Sequence, residues 1–365
     1  MASKVAAAFR LTGTVVGGKW SVVAPAPRLA TQTGAFFSVG YIVRDASGKE
    51  GFLKALNFEA ALRSSDPARV MLAMTEQFTF EVDLLNFCNG RKMSRVVRAV
   101  DHGVVSLGSD ASEIVQYIVF EPADGDLRKL ISGFDEIDLV WAITIAHQAA
   151  VGLAQLHKEG IAHQDLKPSN ILSFGGTTDA KIADLGCASK SGSRSPRDGV
   201  SIPGAKQYAA PELVWGQIDA DWQIRRVAPD LFQLGSLLTF LLCGSSMLSL
   251  ILSRTPPEFR PRGYGGSFTG GYEEAKDAVL ESYADCLDYL KDVVPDGEIF
   301  SELLGHIGTL CHPDPSRRGF GGRRWQGKVR YSLEPYVSQF ALLKLRAERA
   351  ARQAVRRVEG DYDAH

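Results

Sequence analysis

The feature that most constrains the fold is a change in sequence pattern near residue 138. Over residues 14–57, short runs rich in Val, Phe and Tyr (Thr-Val-Val, Trp-Ser-Val-Val, Phe-Phe-Ser-Val, Tyr-Ile-Val, Gly-Phe-Leu-Lys-Ala-Leu) alternate with Gly, Pro and Asp. That is the pattern of an antiparallel meander. Asp45-Ala-Ser-Gly-Lys supplies a turn, because Gly48 tolerates the positive φ of a tight connection. Asp66 as N-cap and Pro67 at the first helical position predict a helix over 66–88, and residues 115–121 return to strand. From Asp138 onward apolar residues recur every three or four positions, most clearly over 139–157. Strands in one part and helices in the other predict an α+β chain of two packed lobes, since a repeating βαβ sheet would interleave them. A length of 365 residues rules out a single small module.

Residues 231–253 carry no charge and are numerous enough to span a bilayer. Gly235, Ser236, Gly244, Ser245, Ser246 and Ser249 dilute this run, and Asp230 and Arg254 flank it. A buried core helix ending near Gly244 is therefore expected, with no membrane span. Residues 254–272, with three prolines and five glycines between Arg254 and Tyr272, read as a long surface loop or a partly disordered one.

The formal charge is -1, from 41 Lys and Arg against 42 Asp and Glu, so no global field favours nucleic acid or an anionic membrane. Cys88, Cys187, Cys243, Cys286 and Cys311 are widely spaced and odd in number, as for reduced thiols in a cytoplasmic protein. The apolar stretch before Arg10 is too short for a secretory signal. The remaining histidines show no paired spacing for a metal.

The chemistry concentrates in His163-Gln164-Asp165-Leu166-Lys167-Pro168-Ser169-Asn170, followed by Asp184-Leu185-Gly186. Two carboxylates, an amide and an ammonium fall in one short region. Carboxylate and amide oxygens suit Mg²⁺, a second carboxylate can accept the proton of an attacking hydroxyl, and Lys167 can neutralise a migrating phosphoryl group.

H-x-D-x-K-x-x-N followed by D-x-G resembles the catalytic loop and metal-binding motif of the eukaryotic-type protein kinase family. Further signatures follow in that family's order: Phe52-Leu53-Lys54, Ala210-Pro211-Glu212, Asp230 with Gly235, and Asp314-Pro315-x-x-Arg318. The resemblance covers roughly residues 29–320. It implies an antiparallel sheet with a helix in the N-lobe (29–121) and a mainly helical C-lobe (122–320). Residues 1–28 form an N-terminal extension with first strands, and 321–365 a basic helical tail.

The resemblance further implies ATP and Mg²⁺ as cofactors. Asp165 would deprotonate the acceptor hydroxyl beside Lys167, Asn170 and Asp184 would hold Mg²⁺, and Lys54 would pair with nucleotide phosphates. Lys54 should be held by Glu81, because Phe78, Glu81 and Leu85 share a helix face; Glu76 is the fallback. Gly34, Phe36 and Val39 fall in the phosphate loop, Phe120 behind the adenine pocket, Glu121 to Ala123 in the hinge and Asp126 at its end. Glu212 and Arg318 resemble a buried structural ion pair, and Asp230 an acceptor for catalytic-loop amides.

Four positions depart from the family pattern. Gln32-Thr33-Gly34-Ala35-Phe36-Phe37 keeps one glycine of three, which implies weaker nucleotide affinity or turnover. Gln164 replaces an arginine that normally receives an activation-loop phosphate, which argues against that mode of activation. Ala205 replaces a threonine that bonds the catalytic Asp and Lys. Leu185 replaces phenylalanine, one apolar filler for another. Cys187, beside Asp184, is read as a buried inert thiol rather than a redox sensor.

Residues 317–357 hold twelve Lys and Arg against two Glu. The Ala- and Arg-rich helix expected from Leu342 to about Val358 is by default a solvated face; the alternatives are that it docks an acidic protein or nucleic acid, or folds back on the lobe. The function expected is transfer of the ATP γ-phosphoryl group to a Ser or Thr hydroxyl of a protein. The alternative is a pseudokinase scaffold with weak or no turnover.

Overall fold

The computed structural model describes residues 5–27, 38–131, 138–176, 178–294, 297–320 and 330–362. The chain divides into two compact units, Met1–Asp124 and Gly125–His365.

The first unit is built on a six-stranded antiparallel sheet. Its strands are β1 (Val15–Val16), β2 (Trp20–Pro25), β3 (Ser38–Arg44), β4 (Glu50–Leu56), β5 (Ala99–Ser106) and β6 (Ile114–Phe120), in the order β1-β2-β3-β4-β6-β5. The pleat sends alternate side chains to opposite faces. One face gathers Val39, Tyr41 and Val43 of β3 with Leu53, Ala55, Val115, Tyr117 and Val119, all buried. Ala7, Ala8 and Leu11 join that core, and Tyr41 donates its hydroxyl hydrogen to Ala8 O at 2.7 Å. Between β3 and β4, Asp45 Oδ1 accepts the amides of Ser47 and Lys49 while Gly48 sits at φ +83°. After α1 (Glu59–Leu62), α2 (Pro67–Gly90) starts as its sequence requires, with the Asp66 carboxylate accepting the Arg69 amide.

The second unit is mainly helical. It opens with β7 (Gly125–Asp126), α3 (Leu127–Ile131) and α4 (Leu139–Lys158), capped by Asp138. β8 (Ile161–Ala162), β9 (Ile171–Phe174), β10 (Asp179–Ile182) and β11 (Ser189–Lys190) follow as short antiparallel ladders. Then come α5 (Pro211–Val214), a π-helical turn Gln223–Val227, α6 (Ala228–Cys243), α7 (Met247–Arg254), α8 (Tyr272–Val293), α9 (Glu298–Leu310) and α10 (Glu334–Tyr362). The uncharged run becomes two helices parted at Gly244, which closes α6 at φ +73°. At Gly235 a Cβ would stand 2.5 Å from Cys311 Sγ, so only glycine lets the end of α9 approach α6 this closely.

Two helical stretches, Leu139–Lys158 and Gln223–Cys243, are long and apolar enough to cross a membrane by length and composition. Their most apolar windows are 61% and 83% buried inside the protein. Residues 255–271 form a surface loop tied down by specific bonds, among them Trp215 Nε1 to Phe259 O at 2.8 Å and Arg260 Nη2 to Thr255 O at 2.7 Å.

The basic tail folds back over its first half. Tyr336, Phe340, Leu343 and Ala347 are buried in the same core as α4 and α6. Arg346 reaches Glu302 and Glu298 of α9 at 2.5 and 3.1 Å, and Thr309 and Tyr336 share a hydroxyl hydrogen bond at 2.8 Å. His306 lies edge-on to both Tyr336 and Phe340.

Candidate active site

In the first unit, β4 runs between β3 and β6, opposing Lys54 to Gly40 and Ile118. Lys54 Nζ lies 3.0 Å from each carboxylate oxygen of Glu81. Glu81 is 3% exposed among Phe78, Leu84 and Leu85 on the inner face of α2, whereas Glu76 of the same helix is exposed. Phe120 opposes Phe52 in the register that opposes Lys54 to Ile118, so it shares the Lys54 face of the sheet. Val39 does not. It opposes Ala55 and is 2% exposed in the core on the other face, because a one-residue step along a strand reverses a side chain. Counting fifteen residues back from Lys54 thus lands on the face opposite Lys54. Glu121 exchanges hydrogen bonds with Arg98, its carboxylate accepting the Arg98 amide at 2.9 Å. Ala123 is half-buried near the end of this unit. Gly34 and Phe36 lie outside the described residues.

In the second unit, the loop after β8 is fixed from below by α6. Asp230, fully buried, accepts the amides of His163 and Gln164, each at 2.7 Å, and its Oδ2 lies 2.8 Å from His157 Nε2. Gln233 accepts the Leu166 amide at 2.8 Å and donates to Gln164 O at 3.0 Å. These bonds hold Gln164 at φ +69°, a conformation that a non-glycine residue adopts only when its surroundings impose it. His163 Nδ1 accepts the Asp165 amide, which leaves the proton on Nε2 to bond Ala183 O at 3.1 Å.

Asp165 is 4% exposed and is held at both oxygens. Oδ1 accepts the Ala205 amide at 2.7 Å; Oδ2 accepts Lys167 Nζ at 2.6 Å and Asn170 Nδ2 at 3.0 Å. The missing threonine hydroxyl is thus replaced by a main-chain N–H. Gly204 permits this approach: a Cβ there would collide with Gln164 O and stand 2.6 Å from Asp165 Oδ1. A lone buried carboxylate, oriented by three donors, is suited to accept a proton at a fixed position.

The β9–β10 hairpin opposes Ile171 to Ile182, and Ala183 N donates to Asn170 O at 2.8 Å, which brings the flanking residues Asn170 and Asp184 together. Asp184 has φ +65° and its carboxylate accepts the Gly186 amide at 3.4 Å. Asn170 spends its amide hydrogens on Asp165, and its Oδ1 takes no hydrogen bond among the described residues. One amide oxygen and one carboxylate fit Mg²⁺, which keeps several waters and phosphate oxygens as its other ligands. No cluster of three or more His, Cys, Asp or Glu suited to a metal occurs among the described residues. Asp126 accepts the Lys129 amide at 3.1 Å at the start of α3. Cys187 is half-buried, and its thiol is pushed up to about 12, first by burial and then by the charges of Asp165 and Asp184, which disfavours the thiolate.

With this geometry in place, comparison with known proteins is decisive. A family model for the protein kinase domain matches residues 33–255, more than half of the chain. The chain belongs to the protein kinase family. It is similar to serine/threonine-protein kinase ICK of Rattus norvegicus, 36% identical over 243 residues, and to the protein of that name in Mus musculus, 36% identical over 242 residues. Each match covers 64% of this chain and 34% of the relative. Cell division control protein 2 homolog D of Antirrhinum majus is 39% identical over 116 residues, 30% of this chain and 35% of that protein. The chain therefore spans about a third of the length of these curated relatives.

The kinase match ends at residue 255, but the lobe's structure does not. Arg318 lies beyond it and meets Glu212 through two parallel bonds of 2.7 Å, both residues almost fully buried, and also donates to Ala228 O, His312 O and Pro313 O. Sequence reasoning missed four contributors around Asp165: Gly204, His157, Gln233 and Arg226. Gln233, His157 and Arg226 act through atoms far apart in sequence. Gly204 is legible in principle, as a glycine next to Ala205, the position of the family's threonine.

Proposed function

We propose that this kinase is an active enzyme that transfers the γ-phosphoryl group of ATP to a Ser or Thr hydroxyl of a protein. The observation that carries this reading is the Asp165 carboxylate, held by three donors although the family threonine is absent. Asp165 orients the acceptor hydroxyl and takes its proton, and Lys167 neutralises charge on the group in transit. Lys54, braced by Glu81, binds nucleotide phosphates. Asn170 and Asp184 hold Mg²⁺, which when bound neutralises the phosphate oxygens. Lysine two residues after Asp165 favours Ser and Thr over Tyr, in keeping with the names of the relatives. Five free thiols fit a reducing compartment, so a cytoplasmic location is part of the proposal.

A pseudokinase scaffold is the second reading, favoured by the single glycine in 32–37. Incubation with γ-labelled Mg-ATP and a peptide mixture, followed by phosphoamino-acid analysis, separates the two. Label on Ser and Thr is expected. No label, together with no Mg-dependent ATP binding by calorimetry, would overturn the proposal in favour of the scaffold.

A further inference from the structure

The family's phosphate-receiving arginine is replaced here by Gln164, yet a buried arginine still faces the segment after β11. It comes from the π-helical turn before α6, a geometry that recurs at functional sites. Arg226 is 1% exposed. Its guanidinium donates to Asp198 O at 2.8 Å, to Arg197 O at 3.4 Å and to Val200 O at 3.5 Å, and also to Gln164 Oε1 at 3.3 Å. Gln164 returns the contact through Nε2, to Arg226 O at 2.5 Å and Asp230 Oδ1 at 3.2 Å. The three carbonyls converge on Nη2 while Nη1 takes Gln164; burial and the neighbouring Arg225 press the guanidinium's pKa down, and the carboxylates of Asp198 and Asp230 oppose that only in part.

The clamped stretch leads directly to Asp165. Arg197 Nη1 donates to Pro203 O at 2.7 Å, Gly204 lies against the Asp165 side chain, and Ala205 N bonds Asp165 Oδ1. Upstream, Asp198 accepts Ser189 Oγ and the Ser195 amide, while Ser195, 2% exposed, uses its hydroxyl oxygen on the Lys190 amide. Its hydroxyl is already engaged and enclosed, with no space for a phosphate in this arrangement.

We infer that Arg226 is a positioning residue that fixes segment 197–205 through main-chain carbonyls, so that transfer requires no phosphate on that segment. The inference rests on the proposed kinase activity, and its test separates the two. The full chain is produced unphosphorylated, verified by mass, as wild type, Arg226→Met, Arg226→Lys and a triple variant of the exposed serines, Ser191→Ala, Ser193→Ala and Ser201→Ala. Wild type and triple variant should share one kcat. Arg226→Met should lose about 100-fold in kcat with KM for ATP nearly unchanged, the cost of a small displacement at the reacting group. Arg226→Lys should recover part of it, because an ammonium reaches some of the same carbonyls. Hydrogen exchange of amides 197–205 should rise in Arg226→Met and stay slow in wild type.

Activity that appears only after phosphorylation of the segment, or an Arg226→Met variant with wild-type kcat, would overturn the inference. If wild type transfers nothing in either state and shows no Mg-dependent ATP binding, the kinase proposal fails on its own, and exchange alone decides: faster exchange confined to 197–205 supports the clamp and unchanged exchange refutes it. If Arg226→Met does not fold, the Lys and triple-serine variants decide by the same kcat criteria.

Discussion

Removal of one ring from the tail helix should destabilise the second unit measurably. Phe340 is fully buried in α10, edge-on to His306 with ring centroids 5.4 Å apart and 6.2 Å from the Tyr336 ring. Phe340→Ala removes that ring and leaves a cavity, at a cost of about 3–5 kcal/mol. For a unit of this size each kcal/mol lowers the midpoint by about 2–4 °C, so the expected drop is about 6–20 °C. Leu342→Ala and Leu345→Ala, on side chains 50% and 53% exposed two and five residues further on, should stay within about 0.5 kcal/mol of wild type. Truncation after Leu333 removes Tyr336, Phe340 and Leu343 together, an upper estimate of about 5–9 kcal/mol at about 1.5–3 for each side chain. That approaches the whole stability of a typical domain, about 5–15 kcal/mol. Thermal unfolding followed by circular dichroism reads all four variants. A truncated chain with the wild-type midpoint would refute the reasoning and make the tail an accessory.

Other perturbations test other parts of the account. Glu212→Gln sets an amide N–H against the Arg318 guanidinium in a buried pair and should cost about 3–5 kcal/mol by urea unfolding; a loss under about 1 kcal/mol would show that the pair is not needed. Lys54→Met removes the ammonium that faces both Glu81 oxygens and should lower kcat/KM about 10²–10³-fold in a transfer assay, and an unchanged value would remove Lys54 from the proposed chemistry. Burial pushes the pKa of His306 down, against the opposing pull of Glu302, and pushes that of His312 down as well. The unfolded chain therefore binds more protons than the folded one below about pH 6.5, so stability should fall as pH drops from 7 toward 5. His306→Phe should flatten that slope in urea midpoints measured at several pH values, and an unchanged slope would contradict the assignment.

Much of this was legible because it is local. Asp66-Pro67, the Asp45 turn and Gly244 act through atoms a few residues away, so residue type and spacing suffice to place α2, the β3–β4 connection and the end of α6. The Lys54–Glu81 contact follows from one helix face, marked by Phe78 and Leu85. Val39 lies on the face opposite Lys54, and a count along the sequence carries no information about which way the pleat turns a side chain. Arg226 is invisible for a different reason: apart from Gln164 Oε1, its acceptors are main-chain carbonyls, which any residue supplies. Ala205 drew attention for the hydroxyl it lacks, while its amide does the bonding. In the tail, the arginines masked the apolar spacing of Tyr336, Phe340, Leu343 and Ala347, which is the signal of a buried face.

The most direct test of the central claim is transfer of the labelled γ-phosphoryl group from Mg-ATP by wild type and Asp165→Asn. The substitution preserves shape and removes the group that accepts the proton. The account expects label on protein or peptide hydroxyls with wild type, and a loss of at least about 100-fold in the variant with ATP binding retained. Equal labelling by the two proteins would contradict it.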